Sequence, residues 1–275
     1  MSDQALGTTH TALTQARALL AQAEDGTTTA NSGTTEQVTA LLREALAGGV
    51  TQAGGDLGRH LVRTAQGNHD VLREALSLLA AAAKNHGGED TLSYARAVHL
   101  LPAKLTATHY VAAASRLNEL LRTAPGVEAM VLTAYMLASG HGYAVNPGRA
   151  RAMMQAAADA GSADAMFELY VYDATGFTGD ADLESATRHL HQAAKLGSAR
   201  AMTNLAGAYA TGRGIGRDEV KAVTWYRRAA EAGSVRAATT LAHMYGTGQG
   251  VDLSHAKDAR YAQRAHELAS QPLTV

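Results

Sequence analysis

The stretch SARAMTNLAGAYATGRGIGRDEVKAVTWYRRAAEAG, residues 198–233, decides the fold. It opens with an apolar helical pattern from about residue 199 to 210, turns at Thr211-Gly212-Arg213-Gly214, and closes with a second helical pattern from about 219 to 232. The same plan reappears 36 residues away in both directions: Gly140, Gly176, Gly212 and Gly248 keep that spacing, and so do Gly161, Gly197 and Gly233. A fixed period in this range marks a stacked helical repeat, whose units bury their apolar faces against their neighbours.

Four units of this length follow one another at 126–161, 162–197, 198–233 and 234–269. Asn146, Asp182, Asp218 and Ser254 stand just before the second helices, where an oxygen-bearing side chain accepts from free backbone N–H groups. Pro147 suits the first helical position, and Gly161, Gly197 and Gly233 suit the left-handed residue that ends a helix. Alanine recurs in the first helices as Ala129, Ala165, Ala201 and Ala237, and in the second helices as Ala157, Ala193, Ala229 and Ala265. Small residues at fixed phase let paired helices approach closely.

Upstream the rhythm continues with weaker punctuation. Residues 51–87 read as a helix pair broken at Gln66-Gly67-Asn68 and capped by Asp70, and 88–125 as another, broken near Pro102. Residues 11–24 and 35–46 read as a further pair, joined by a Thr/Gly/Ser-rich mobile loop at 25–34. The expected architecture is an all-α, right-handed α-solenoid of about seven antiparallel helix pairs. It divides into a divergent region at 1–125, four regular repeats at 126–269 whose last helix caps the stack, and a tail at 270–275.

Composition narrows the function. The chain has 275 residues, of which 46% are hydrophobic and 5% aromatic, so Ala, Leu and Val build the core. Net charge is −1, with 10 basic and 11 acidic residues up to Pro125 and 14 of each from Gly126 onward. Neither half carries the basic excess of a nucleic-acid or anionic-membrane binder. The absence of cysteine excludes disulfides, thiolate metal sites and cysteine nucleophiles. Residues 1–10 lack a basic stretch followed by an apolar one, and no apolar run approaches 18 residues, so neither a secretory signal nor a membrane-spanning helix is expected. The Ala, Gly, Thr and Arg bias points to a high-GC genome.

Candidate chemistry is sparse. Gly212-Arg213-Gly214-Ile215-Gly216 resembles part of a phosphate loop, but a helix rather than a strand precedes it, and its G-x-G recurs at Gly140-His141-Gly142 and Gly248-Gln249-Gly250. It reads as an inter-helix turn. Among twelve histidines, His189 and His191 are the close pair, yet residues two apart on a helix face different ways, so no metal site is expected. Trp225, Tyr226 and Tyr261 fall beside Ala222 and Ala229 at helical spacing and read as core.

Ala201-Met202, Leu205, Tyr209, Gly212-x-Gly214, Asp218, Lys221-Ala222, Trp225-Tyr226, Arg228-Ala229-Ala230 and Gly233 together resemble the Sel1-like repeat family, a relative of the tetratricopeptide repeat. The resemblance is specific over 126–269 and only architectural before it. It implies a superhelix whose first helices line a concave face, and an adaptor that holds a peptide or partner protein there. By analogy with tetratricopeptide packing, that groove would present Glu128, Val131, Tyr135, Phe167, Val171, Arg200, Asn204, Arg236, Thr240 and His243, with Asn204 bonding a peptide backbone and Arg200 or Arg236 meeting an acidic group. For Val131, Leu132 and Phe167, packing on the next repeat is the open alternative.

The repeat at 162–197 departs from its neighbours, with Asp173 where Tyr209 and Tyr245 stand and His189 where Trp225 and Tyr261 stand. Three arrangements are open: Tyr172 takes the ring position and Asp173 turns to solvent; Asp173 and His189 form a structural pair; or the pair is catalytic or binds a ligand. The expected function is a non-enzymatic, cytoplasmic, bacterial adaptor binding protein or peptide, without cofactor, metal, nucleic acid or membrane. The alternative is a small-molecule-binding or catalytic accessory protein of a biosynthetic pathway, using Tyr135, Tyr170, Tyr172, Asp173, His189 and His243. A third reading is a homo-oligomeric element whose groove takes its own N-terminal segment.

Overall fold

Glycine and capping residues at fixed phase cut the chain into helices. The computed structural model describes residues 3–24 and 32–270. Its helices are α1 (Asp3–Glu24), α2 (Ser32–Ala47), α3 (Gln52–Thr64), α4 (His69–His86), α5 (Gly88–Leu100), α6 (Ala103–Thr106), α7 (Tyr110–Thr123), α8 (Val127–Ser139), α9 (Pro147–Asp159), α10 (Ala163–Thr175), α11 (Leu183–Lys195), α12 (Ala199–Thr211), α13 (Glu219–Glu231), α14 (Val235–Thr247) and α15 (His255–Ala269). A 3-10 turn at Ala107–His109 leads into α7. No strand occurs among the described residues. No described helix is long and apolar enough to cross a membrane.

The chain forms two compact units, one reaching Val145 and the other beginning at Asn146. In the second unit the main packing runs from each helix to the next in sequence, α9 through α15. That nearest-neighbour pattern defines an α-solenoid of helix pairs.

The expected caps appear. Asn146, Asp182, Asp218 and Ser254 accept from Arg149, Ser185, Lys221 and Lys257 N–H groups at 2.9, 2.9, 2.9 and 3.4 Å. Ser162, Ser198 and Ser234 do the same for the first helices, accepting from Ala165, Ala201 and Ala237. Gly140, Gly176, Gly212 and Gly248 end the first helices in the left-handed conformation. Ala165, Ala201, Ala237, Ala193 and Ala229 are wholly buried at the helix contacts.

Three details differ from the sequence reading. Asn68, and not Asp70, caps α4, because its side-chain oxygen reaches the Asp70 and Val71 N–H groups while Asp70 lies inside the first turn. Helix α1 begins at Asp3, ahead of the expected residue 11. Ser32, Gly33 and Thr34 open α2 instead of belonging to a loop. The rest of that loop, 25–31, and the tail at 271–275 lie outside the described residues.

The first unit is cross-linked by a chain of alternating charges. Asp56 of α3 accepts from Arg17 of α1 at 2.7 Å and from Arg59 at 2.5 Å; Arg59 also reaches Asp90 of α5 at 2.7 Å. His86 Nδ1 lies 3.2 Å from the second Asp90 oxygen, and its Nε2 lies 3.0 Å from Thr51 Oγ1.

His60 of α3 is buried with Nε2 3.1 Å from Thr39 Oγ1 and 3.3 Å from the Thr35 carbonyl of α2. Burial, aided by the charge of Arg63, lowers its pKa despite the opposing bond to Thr35. Burial also lowers His109 and His191, the latter with help from Lys195. The unfolded chain therefore takes up these protons first as pH falls from the ordinary histidine value, and unfolding gains ground. Urea midpoints are expected to fall between about pH 7 and pH 5, and His60→Gln is expected to flatten that slope; an unchanged slope would refute the assignment.

Candidate functional site

Side chains bridging the first helices of the second unit set a lateral register. Arg200, in the first turn of α12, donates from Nη1 to Glu168 Oε1 of α10 at 2.6 Å, and its guanidinium lies 4.3 Å above the Phe167 ring. Arg236, in the first turn of α14, donates from Nη2 to Asn204 Oδ1 of α12 at 3.3 Å. Both pairs are separated by 32 residues, one repeat less about one helical turn. In the first unit Arg96 of α5 and Glu128 of α8 repeat that separation, with Nε 2.8 Å from Oε1.

This ladder sorts the groove residues read from the sequence. Glu128, Val131 and Tyr135 belong to the first unit: Glu128 is held by Arg96, Val131 is half-buried, and Tyr135 stacks on His99 with centroids 4.6 Å apart. Phe167 is buried beneath Arg200, and Val171 is half-buried. Arg200 is exposed but already faces Glu168. Asn204, Arg236, Thr240 and His243 remain as a polar strip on α12 and α14, with the Thr240 hydroxyl donating to the Arg236 carbonyl at 2.8 Å.

Beside that strip a cleft of about 680 Å³ opens within the second unit, walled by Tyr170 of α10, Leu183 of α11 and Ile215 of the α12–α13 loop. Its cause is local. The tenth residue of successive repeats is Tyr135, Val171, Gly207 and His243, and only Gly207 puts no side chain there. A Cβ on Gly207 would meet nothing closer than the Tyr226 hydroxyl, 3.5 Å away.

The repeat at 162–197 brings Asp173 and His189 together. His189 Nδ1 lies 2.7 Å from Asp173 Oδ2, and Arg151 of α9 donates to Asp173 Oδ1 at 2.6 Å. Asp173 is buried, not turned to solvent, and both of its oxygens are taken. In the next two repeats Lys221 covers the Tyr209 ring at 5.4 Å and Lys257 covers Tyr245 at 4.9 Å. The anomalous repeat thus exchanges a ring under a cation for a carboxylate between a guanidinium and an imidazole. The backbone is unaffected: the carbonyls of Asp173, Tyr209 and Tyr245 each accept from the following second-helix cap at 2.9 Å.

The other polar aromatics disperse. Tyr172 is buried and stacked on Phe177 at 4.5 Å; its hydroxyl has no partner, and burial with the Glu168 charge pushes its pKa up to about 12. Tyr170 packs against Phe167, and His243 is exposed on α14. His191 meets the Tyr209 ring edge-on, while Tyr226 is buried and Tyr261 stacks on Tyr245. Among the described residues no three histidines or carboxylates gather to hold a metal ion. Arg151 was missed by the sequence reading because it reaches Asp173 from the preceding repeat.

The fold and this lateral ladder define a helical-repeat protein. The Sel1 repeat profile matches residues 127–162, 170–198, 199–234 and 235–266, and the chain belongs to the Sel1 repeat family. It is similar to a Sel1 repeat protein from Oxalobacter formigenes, with 32% identity over 43% of this chain and 89% of that one, at a TM-score of 0.41. It is also similar to c5321, a protective antigen of uropathogenic Escherichia coli strains displaying an SLR fold. There the identity is 21% over 84% of this chain and 49% of that one, at a TM-score of 0.49. No curated protein matches the sequence.

Proposed function

We propose that this chain is a non-enzymatic cytoplasmic adaptor that binds a partner protein on the first-helix face of α10, α12 and α14. Repeats of this family typically mediate protein interactions. The observation that carries the reading is the open cleft beside Asn204 and Arg236, on the face where the remaining polar side chains gather. In this reading Asp173, with one oxygen held by Arg151 and the other by His189, serves the packing of its repeat.

A photo-crosslinking residue placed at Thr240 tests this reading in the cell that makes the protein. Partner adducts are expected from Thr240 and not from Arg227, an exposed residue on α13. Equal adducts from both, or adducts from Arg227 alone, would overturn the assignment.

A further inference from the structure

The cleft in the second unit has chemistry of its own. Its walls are aliphatic and aromatic, and Leu183 at its edge is left 69% exposed, although it begins a helix whose other apolar side chains are covered. Two guanidinium groups line it, Arg213 from the α12–α13 loop and Arg236 from α14, with no carboxylate among the described residues of its lining. Arg213 has no ion pair among the described residues, unlike Arg200, Arg217 and Arg188, each of which faces a glutamate. The Arg236 guanidinium makes one hydrogen bond among the described residues, to the neutral Asn204. An apolar space with unneutralised cations favours an occupant that supplies an aliphatic surface together with negative charge.

We propose that this cleft takes an internal segment of a partner protein in which aliphatic side chains alternate with carboxylates. The aliphatic chains lie against Tyr170, Leu183 and Ile215, and the carboxylates are met by Arg213 and Arg236. Guanidinium binds carboxylate through paired N–H groups, and each arginine keeps most of its donors available. Asn204, half-buried between the apolar wall and Arg236, is placed to bond the segment's backbone. This inference rests on the adaptor reading and names the chemistry of the partner.

The test uses four fluorescein-labelled octapeptides, all acetylated and amidated so that no terminal charge contributes. They alternate Leu with Glu, Leu with Gln, Leu with Lys, and Ser with Glu. Fluorescence polarisation with the full chain is expected to show binding of the Leu/Glu peptide at least about tenfold tighter than the other three, the size of effect that loss of charge-assisted bonds produces. In Arg213→Glu/Arg236→Glu, checked for unchanged helical circular dichroism, the preference is expected to reverse toward the Leu/Lys peptide. Equal binding of the Leu/Glu and Leu/Gln peptides, or no reversal, would overturn the proposal. If Thr240 adducts also persist in that double variant, the cleft chemistry fails while the adaptor face stands; if Thr240 gives no adduct in the native sequence, the adaptor reading itself fails.

Discussion

Gly142→Ala is expected to destabilise the first unit by about 4 kcal/mol, a size confined to a few mechanisms, of which a clash against fixed backbone is one. Gly142 has φ +76°, and a Cβ there would lie 2.6 Å from the Tyr110 carbonyl carbon, closer still to its oxygen, and 2.9 Å from Ala114 Cβ. The loop cannot move away cheaply. His141 stacks on Tyr110 with centroids 4.0 Å apart and planes 5° from parallel, and the Tyr143 hydroxyl donates to the Ala114 carbonyl at 3.0 Å. Gly214 provides the control: its φ is +75°, yet an added Cβ would meet nothing within 4 Å. Gly214→Ala should therefore cost only the backbone term, about 1–2 kcal/mol. Thermal unfolding is expected to fall by about 10 °C for the first variant and only a few degrees for the second. Equal losses would show that the contact with α7 contributes nothing.

That contrast shows what a repeat makes legible. The 36-residue spacing of Gly140, Gly176, Gly212 and Gly248 fixed both helices of each regular unit, because a left-handed glycine and an oxygen-bearing cap act locally and repeat with the fold. Ser162, Ser198 and Ser234 at the heads of α10, α12 and α14 carry the same signal, whereas α8 starts from Gly126 without a side-chain cap. The glycines of α3 were less informative, because a helical glycine signals a close neighbour that sequence does not name. A Cβ at Gly58 would lie 2.7 Å from Leu79 Cγ of α4. In the last repeat the Ala210 and Ala222 pair becomes Gly246 and Asp258, and a Cβ at Gly246 would lie 3.0 Å from the Asp258 carboxylate. Two substitutions that look like departures compensate each other.

The candidate face was legible in part. Position within a repeat identified Arg200, Asn204 and Arg236, but not that they join a ladder of pairs 32 residues apart, Arg200 with Glu168 and Arg236 with Asn204. That offset depends on how far one helix slides along the next, which no residue encodes alone. Position did bring Asp173 and His189 to one inter-helix space. It did not reveal Arg151, whose repeat counterparts Thr187, Val223 and Ala259 carry no charge.

Arg151 makes Asp173→Ala the sharper probe of the anomalous repeat. Removing the carboxylate leaves a guanidinium and an imidazole facing a cavity that was built for an anion. Breaking a buried pair by deleting one partner costs about 3–5 kcal/mol. The side chains of Arg151 and His189 keep 32% and 18% of their exposure, so each regains some water, and about 3 kcal/mol, the lower end of that range, is expected. His189→Ala should cost less, since Arg151 still holds Asp173, and the double variant should cost less than the sum by about 1–2 kcal/mol of coupling. Urea unfolding of the three variants supplies the cycle. Thr240 crosslinking in Asp173→Ala supplies the second readout: with the protein folded, partner adducts are expected to persist. Full stability combined with lost adducts would instead make the carboxylate part of a binding site and remove the packing explanation for this repeat.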